Sequence, residues 1–299
     1  MINFKQITLS DKKEIDAALA GNTYRACDFS FANLYTWNAR FKTMYAIEHR
    51  TIFLRFQDID GQLYYMMPIG KMPLKNAFDL IMQDAVENKT PFQMKCITTS
   101  MWEYIQAEMP GKFRYLPDKN NYEYIYTSEK LIKLSGKKLQ SKRNHINRFK
   151  ADNPDWVYFP LTSRADLDEC SRMLDEWEEV SISKVDFSKR YDYIATKMML
   201  EQFEELQLQG GAIRVNGQIV AFTIGEPLTE DTFVVHVEKA FGEINGAYTI
   251  INQQFIEHTA SEFTYINREE DMGIENLRKA KMSYYPDILL EEGILIPMK

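Results

Sequence analysis

The chain has 299 residues, 45% of them hydrophobic and 13% aromatic, with 13 Gly, 10 Pro and a formal net charge of −7. That length predicts two domains of ordinary size and a well-packed globular protein, not a disordered, fibrous or disulfide-stapled chain. The acidic balance argues against a surface generally coated by nucleic acid, and no segment reaches the roughly 20 apolar residues of a membrane span.

In chain order, a short strand is expected over residues 2–7. Asp11 with Glu14 resembles a capping box before a helix through Leu19. The aromatic stretch 29–41 reads as half helix and half turn. Strands follow over 43–48, 51–57 and 62–69, with hairpin turns at His49-Arg50 and Asp60-Gly61. A helix over 76–88, a strand over 93–98 and a helix over 100–109, stopped by Pro110, complete the first half. Residues 116–121 form a proline and polar cluster, 122–127 read as a strand, and a domain boundary is placed near Tyr126.

The second half is clearer. Residues 137–150 hold Lys137, Lys138, Lys142, Arg143, Arg148 and Lys150 without one carboxylate, on a helix that turns Leu139, Ile146 and Phe149 to one side. A basic block in an acidic chain points to a local anionic partner: a phosphate-bearing cofactor, a tRNA acceptor end or a lipid headgroup. The alternative is a solvated helix face. A strand over 156–161 and a helix capped by Ser163 and Asp166 follow, the helix carrying Leu167, Cys170, Leu174 and Trp177 as a stripe. The next helix spans 189–208. Asn216-Gly217 joins two strands as a hairpin. Further elements are a strand over 232–239, a helix over 246–258, a strand over 263–267 and a short helix over 274–281. This order is α+β, an antiparallel meander feeding a βαβ-like crossover.

Cys27, Cys96 and Cys170 are odd in number and far apart, and neither they nor His49, His145, His236 and His258 show metal-ligand spacing. No disulfide and no metal are expected. With no apolar leader at the N-terminus, the expected compartment is the cytoplasm, a peripheral contact with a membrane surface staying compatible with it.

The order of elements matches the acetyltransferase-like (GNAT) fold. Three runs, LIKLSGKKLQSKRNHINRFK, GQIVAFTIGEPLTEDTFVVHVEKA and INREEDMGIENLRKAKMSYYP, resemble the family grouped with the C-terminal domain of phosphatidylglycerol lysyltransferase. The resemblance implies two tandem GNAT-like domains, over 1–125 and 126–299, each a mixed, mainly antiparallel sheet flanked by helices, the second carrying the active cleft. It also implies an aminoacyltransferase that moves an amino acid from aminoacyl-tRNA to an amine or hydroxyl acceptor, which is a small molecule, a peptide or a lipid headgroup. No further cofactor is required. Lys281 falls on the lysine that precedes an aromatic and a proline in those enzymes. Their Asp-x-x-Arg signature is replaced here by His236 and Lys239. Their membrane-spanning flippase part has no counterpart in this sequence, so a lipid acceptor is not carried over.

Aminoacyl transfer from an ester needs a positioned, deprotonated acceptor and a stabilised oxyanion, and no covalent nucleophile. Glu238, at a strand end, is a candidate base or ammonium holder, its alternative being a salt bridge with Lys239 or Arg268. His236 and Asp271 are the other catalytic candidates, although a lone strand histidine is more often packed. Lys138, Lys142, Arg143, Arg148, Lys239, Arg268, Arg278 and Lys281 are the candidates for substrate binding. Tyr284 and Tyr285 read as core or rim aromatics. Acetyl-CoA or another acyl-CoA is the alternative donor. It would need a glycine-rich pyrophosphate loop where the sequence has GEINGAY, and there Glu243 would repel phosphate. A non-catalytic tRNA- or anion-binding module on the same fold is the third reading.

Overall fold

The computed structural model describes residues 2–181 and 187–298 and divides the chain into two compact units. The first comprises Met1–Tyr124, Glu270–Lys279 and Leu289–Lys299; the second comprises Ile125–Glu269 and Ala280–Ile288. Two C-terminal segments, Glu270–Lys279 and Leu289–Lys299, thus lie with the N-terminal residues in the first unit.

The reason lies in strand pairing. The first unit holds an eight-stranded sheet in which Glu292–Pro297 inserts between Met94–Thr98 and Phe113–Pro117, antiparallel to both. Gly293 faces Ile97 on one side and Pro117 on the other. Neither Phe113–Pro117 nor Glu292–Pro297 was expected as a strand. Each is short, and the prolines at their ends mask them. Tyr45, Tyr65, Phe31, Phe53 and Phe78 are fully buried in this unit. The Phe78 ring meets Phe113 edge-on at 5.3 Å.

A second sheet of seven strands has Glu123–Thr127, Tyr265–Asn267, Thr232–Ala240, Gln218–Pro227, Gln209–Val215 and Val157–Pro160 as successive neighbours, with Ile288–Leu290 at its edge. Gln209–Val215, Gln218–Pro227 and Thr232–Ala240 form the antiparallel meander, turned at Asn216-Gly217, both with positive φ. The helix Ala247–Phe255 then crosses over to Tyr265–Asn267, which lies parallel to Thr232–Ala240. The α+β meander and crossover expected from the sequence are both present. Phe233 packs edge-on against Phe255 and Phe263 at 5.7 and 5.5 Å, joining sheet to crossover. Truncating such a buried ring costs about 3–5 kcal/mol.

The helix of the basic block is Gln140–Asp152, with Lys137 and Lys138 in the turn before it; a separate helix, Ser128–Lys133, ends at Leu134 in a left-handed conformation. The expected helix over 189–208 is Phe187–Glu201, and that over 246–258 passes into a π-helical turn over Ile256–Ala260. Among the described residues no helix is long and apolar enough to cross a membrane.

Candidate acyl-transfer site

The site grows from three places in the second unit. Helix Gln140–Asp152 buries Ile146 and Phe149 and packs on the crossover helix Ala247–Phe255. The approach is close at Gly246, where a Cβ would stand 2.4 Å from the His145 carbonyl oxygen and φ is +87°. Only glycine fits that backbone and that space. The contact leaves Lys142, one turn before His145, on the inner side of its helix.

The second place is the parallel strand pair. Its ladder runs from Thr232–Tyr265 to Val234–Asn267. Arg268 follows directly, and its Nη2 reaches along the neighbouring strand to donate to Glu238 Oε1 at 2.8 Å. Asn252, from the crossover helix, donates to Glu238 Oε2 at 3.0 Å. The third place is Tyr284. Its ring centroid lies 4.0 Å from Lys142 Nζ and 4.8 Å from Arg268 Cζ, so one aromatic ring is shared by two cations.

Two atoms of this cluster are unspent. Arg268 Nη1 and Asn252 Oδ1 are buried and have no hydrogen-bond partner. A buried donor and a buried acceptor left open are costly, which favours a ligand that supplies the missing partners. Burial, and then the charge of Arg268, push the Lys142 ammonium down to about 8, against the opposing pull of Glu238. A neutral lysine is therefore accessible near physiological pH. Lys142 also lines a cavity of about 370 Å³ with His145 and residues 242–249.

The other candidates fall elsewhere. His236 is the extra residue of a β-bulge: Val237 pairs with Ile224 and Val235 with Gly225, leaving His236 between them. Its side chain is 1% exposed, with Nδ1 2.7 Å from Glu269 and Nε2 3.1 Å from Glu226. Burial opposes its charge, but the bonds to Glu226 and Glu269 outweigh that and hold the imidazole up to about 10. Both nitrogens are occupied, the pattern of a packed, satisfied histidine. Lys281 is buried and donates to the carbonyls of Arg268 and Glu269 at 2.6 and 3.1 Å, so it holds the backbone that carries Arg268. Lys239 is also buried, 2.5 Å from Asp192 and 4.3 Å from the centroid of Trp177. Trp177 in turn donates to the hydroxyl of Tyr248, a cavity residue, at 3.3 Å.

Of the remaining basic residues, Arg143 is turned back onto the chain, donating to the carbonyls of Leu134 and Gly136 and to Gln140. Arg148 is exposed and pairs with Asp152 one turn on, the arrangement of a solvated face. Lys138 is exposed, 5.2 Å from the Tyr285 ring centroid. Asp271 and Arg278 belong to the first unit. Asp271 is fully buried and accepts from Arg278 Nε at 2.7 Å, Tyr124 at 2.5 Å and the Gly273 N–H at 2.9 Å. Burial alone would raise its carboxyl; these bonds hold it below the ordinary carboxylate range.

Sequence reasoning brought Lys142, Glu238 and Arg268 into view and missed Asn252 and the role of Tyr284. Asn252 is buried on the crossover helix together with Thr249 and Gln254, so polarity within that helix did not single it out. Tyr284 left no signal either, because one tyrosine among 17 looks like any other.

A protein of unknown function from Bacteroides thetaiotaomicron is 40% identical, with all of each chain covered and a TM-score of 0.94. The L-PGS of Bacillus licheniformis superposes at a TM-score of 0.67 with 16% identity, covering 96% of this chain and 91% of that one, a likeness of fold. An uncharacterised protein of Mycoplasmoides gallisepticum is 23% identical over 186 residues, which is 59% of this chain and 56% of that protein, so the match spans little more than half of its length. The phosphatidylglycerol lysyltransferase, C-terminal family matches residues 22–292. The chain, with its two mainly antiparallel, helix-flanked sheets, belongs to that family.

Proposed function

We propose that the protein is an aminoacyltransferase that takes an amino acid from aminoacyl-tRNA and passes it to an amine or hydroxyl acceptor. The observation that carries this reading is the pairing of a depressed lysine with a buried arginine that still has one free donor. In the proposed reaction the acceptor attacks the ester carbonyl carbon. Lys142, in its neutral form, takes the acceptor's proton. Arg268 Nη1 donates to the oxyanion, while Glu238 holds both Arg268 and Asn252 in place. The bond from carbonyl carbon to ribose oxygen then breaks, and that oxygen leaves with the proton from Lys142. Asn252 Oδ1 accepts a hydrogen from the acceptor or from the donor's α-ammonium. Lys142 thus acts as a base, where the sequence suggested a phosphate contact.

The cavity at residues 242–249 favours a second reading, an acyl-CoA donor, because it lies at the N-terminus of the crossover helix. Against it, the N–H groups of Ala247, Thr249 and Ile250 already donate to the carbonyls of Ile244 and Gly246, which leaves fewer amides for a pyrophosphate. Glu243 adds a carboxylate to the same wall.

The deciding experiment offers the protein tRNA charged with labelled amino acids, and separately labelled acetyl-CoA, each with an acceptor pool from cell extract. Label leaving tRNA into a product, and failing to do so with Lys142→Ala, is the expected result. Transfer from acetyl-CoA alone replaces this reading with the second. Bound tRNA with no transfer from either donor favours a binding module.

A further inference from the structure

The first unit contains a cluster that the candidate transfer site does not use. Cys27, Asp28 and Glu123 each bring a sulfur or carboxylate oxygen within 4.8 Å of one another, and Asp28, Cys96 and Glu292 do the same. Asp28 is common to both sets. The five residues come from four separate stretches of chain: the 3-10 turn Cys27–Phe29 and the strands Met94–Thr98, Glu123–Thr127 and Glu292–Pro297. Pairing of Glu292 with Thr98 sets the C-terminal strand beside Cys96. No spacing in the sequence could have announced this.

A second observation points to a ligand. Glu292 is 2% exposed, and its Oε1 is buried without a hydrogen-bond partner. The side chain carrying that open acceptor also supplies a ligand atom to the cluster. Glu123, 1% exposed, is held by the Cys27 N–H, which donates to both of its oxygens at 3.1 and 3.2 Å. Such a bond orients a carboxylate as an outer-shell partner orients a ligand.

We propose that this cluster binds a zinc-class divalent cation, with Asp28, Cys96 and Glu292 as primary ligands and Cys27 and Glu123 completing the set. The donors select the ion. Thiolate with carboxylate suits a borderline-soft metal, whereas magnesium and calcium want oxygen alone. On binding, each ligating thiol gives its proton to solvent and coordinates as thiolate. The ion ties the C-terminal strand to the turn at Cys27 and to the strand of Cys96, so its role is structural and independent of the transfer reading above.

The test uses the full-length protein after dialysis against EDTA, titrated with cobalt(II) and then zinc(II). One equivalent of cobalt per chain is expected, with a thiolate-to-cobalt charge-transfer band that zinc abolishes and excess magnesium does not. Zinc should also raise the melting temperature. Cys96→Ser and Glu292→Gln should each weaken binding by about tenfold or more. Cys170→Ala, in the second unit, should leave it unchanged. A wild-type spectrum without the thiolate band overturns the proposal, and needs no variant to fold. Unchanged affinity in both ligand variants overturns it as well.

Discussion

His236 and Arg268 are both buried cations beside carboxylates, one on a strand and the other just past the end of its neighbour. His236 has both ring nitrogens engaged, by Glu226 and Glu269. Arg268 has one carboxylate, Glu238, and an Nη1 with no partner. The first pattern closes a site and contributes stability. The second leaves a donor open inside a low-dielectric pocket, where a hydrogen bond to a developing charge is worth most. The two clusters therefore differ in the count of unspent hydrogen-bonding atoms rather than in the presence of a cation beside a carboxylate.

The largest effects are expected at Arg268. Arg268→Lys keeps the charge but loses the guanidinium fork, and transfer should fall by about 10²–10³-fold. Arg268→Met should in addition destabilise the fold by about 3–5 kcal/mol, because Glu238 is left buried and unpaired. Full activity in Arg268→Lys would show that Nη1 is not the oxyanion donor. Lys142→Met should lower the transfer rate by about 10²-fold or more. The wild-type rate should rise with pH through about 8, as the ammonium loses its proton, and the variant should lack that limb. A variant that kept the limb would assign it to another group.

His236→Gln should act on stability and barely on transfer. The imidazole's folded pKa, about 10, lies above the ordinary value near 6.5. Its contribution is therefore complete below pH 6.5 and is lost as pH rises through 10. Unfolding curves at pH 6 and pH 9.5 should show a large wild-type loss that His236→Gln lacks, with the variant about 3–5 kcal/mol less stable at pH 6. Equal pH slopes in the two proteins would mean that the imidazole is neutral in the fold. The smallest effect belongs to Arg148→Ala. This exposed pair with Asp152 should change neither melting temperature nor transfer. A clear loss of tRNA binding there would restore the outer face of the basic helix to the site.

The basic helix shows how far the sequence could be read. Six cations between residues 137 and 150 are equivalent as letters. Packing on the crossover helix turns Lys142 inward over Tyr284 and leaves Arg148 to solvent. Arg143, equally prominent in sequence, is spent on the carbonyls of the turn before its helix. Ile146 and Phe149 gave the helix its buried side, but the exact rotation of Lys142 depended on the close approach at Gly246.

The meander of the second sheet, its Asn216-Gly217 turn and the crossover helix were determined by the sequence alone, because each rests on local periodicity and turn chemistry. Glu238 and Arg268 could be singled out for the same reason, as charged residues at strand ends. Only the tertiary structure decided that they meet, that Asn252 and Tyr284 join them, and that the C-terminal strand returns to the first unit's sheet. These are contacts between residues far apart in the chain. They are set by the pairing of strands and the close packing of helices, neither of which leaves a period in the sequence to read.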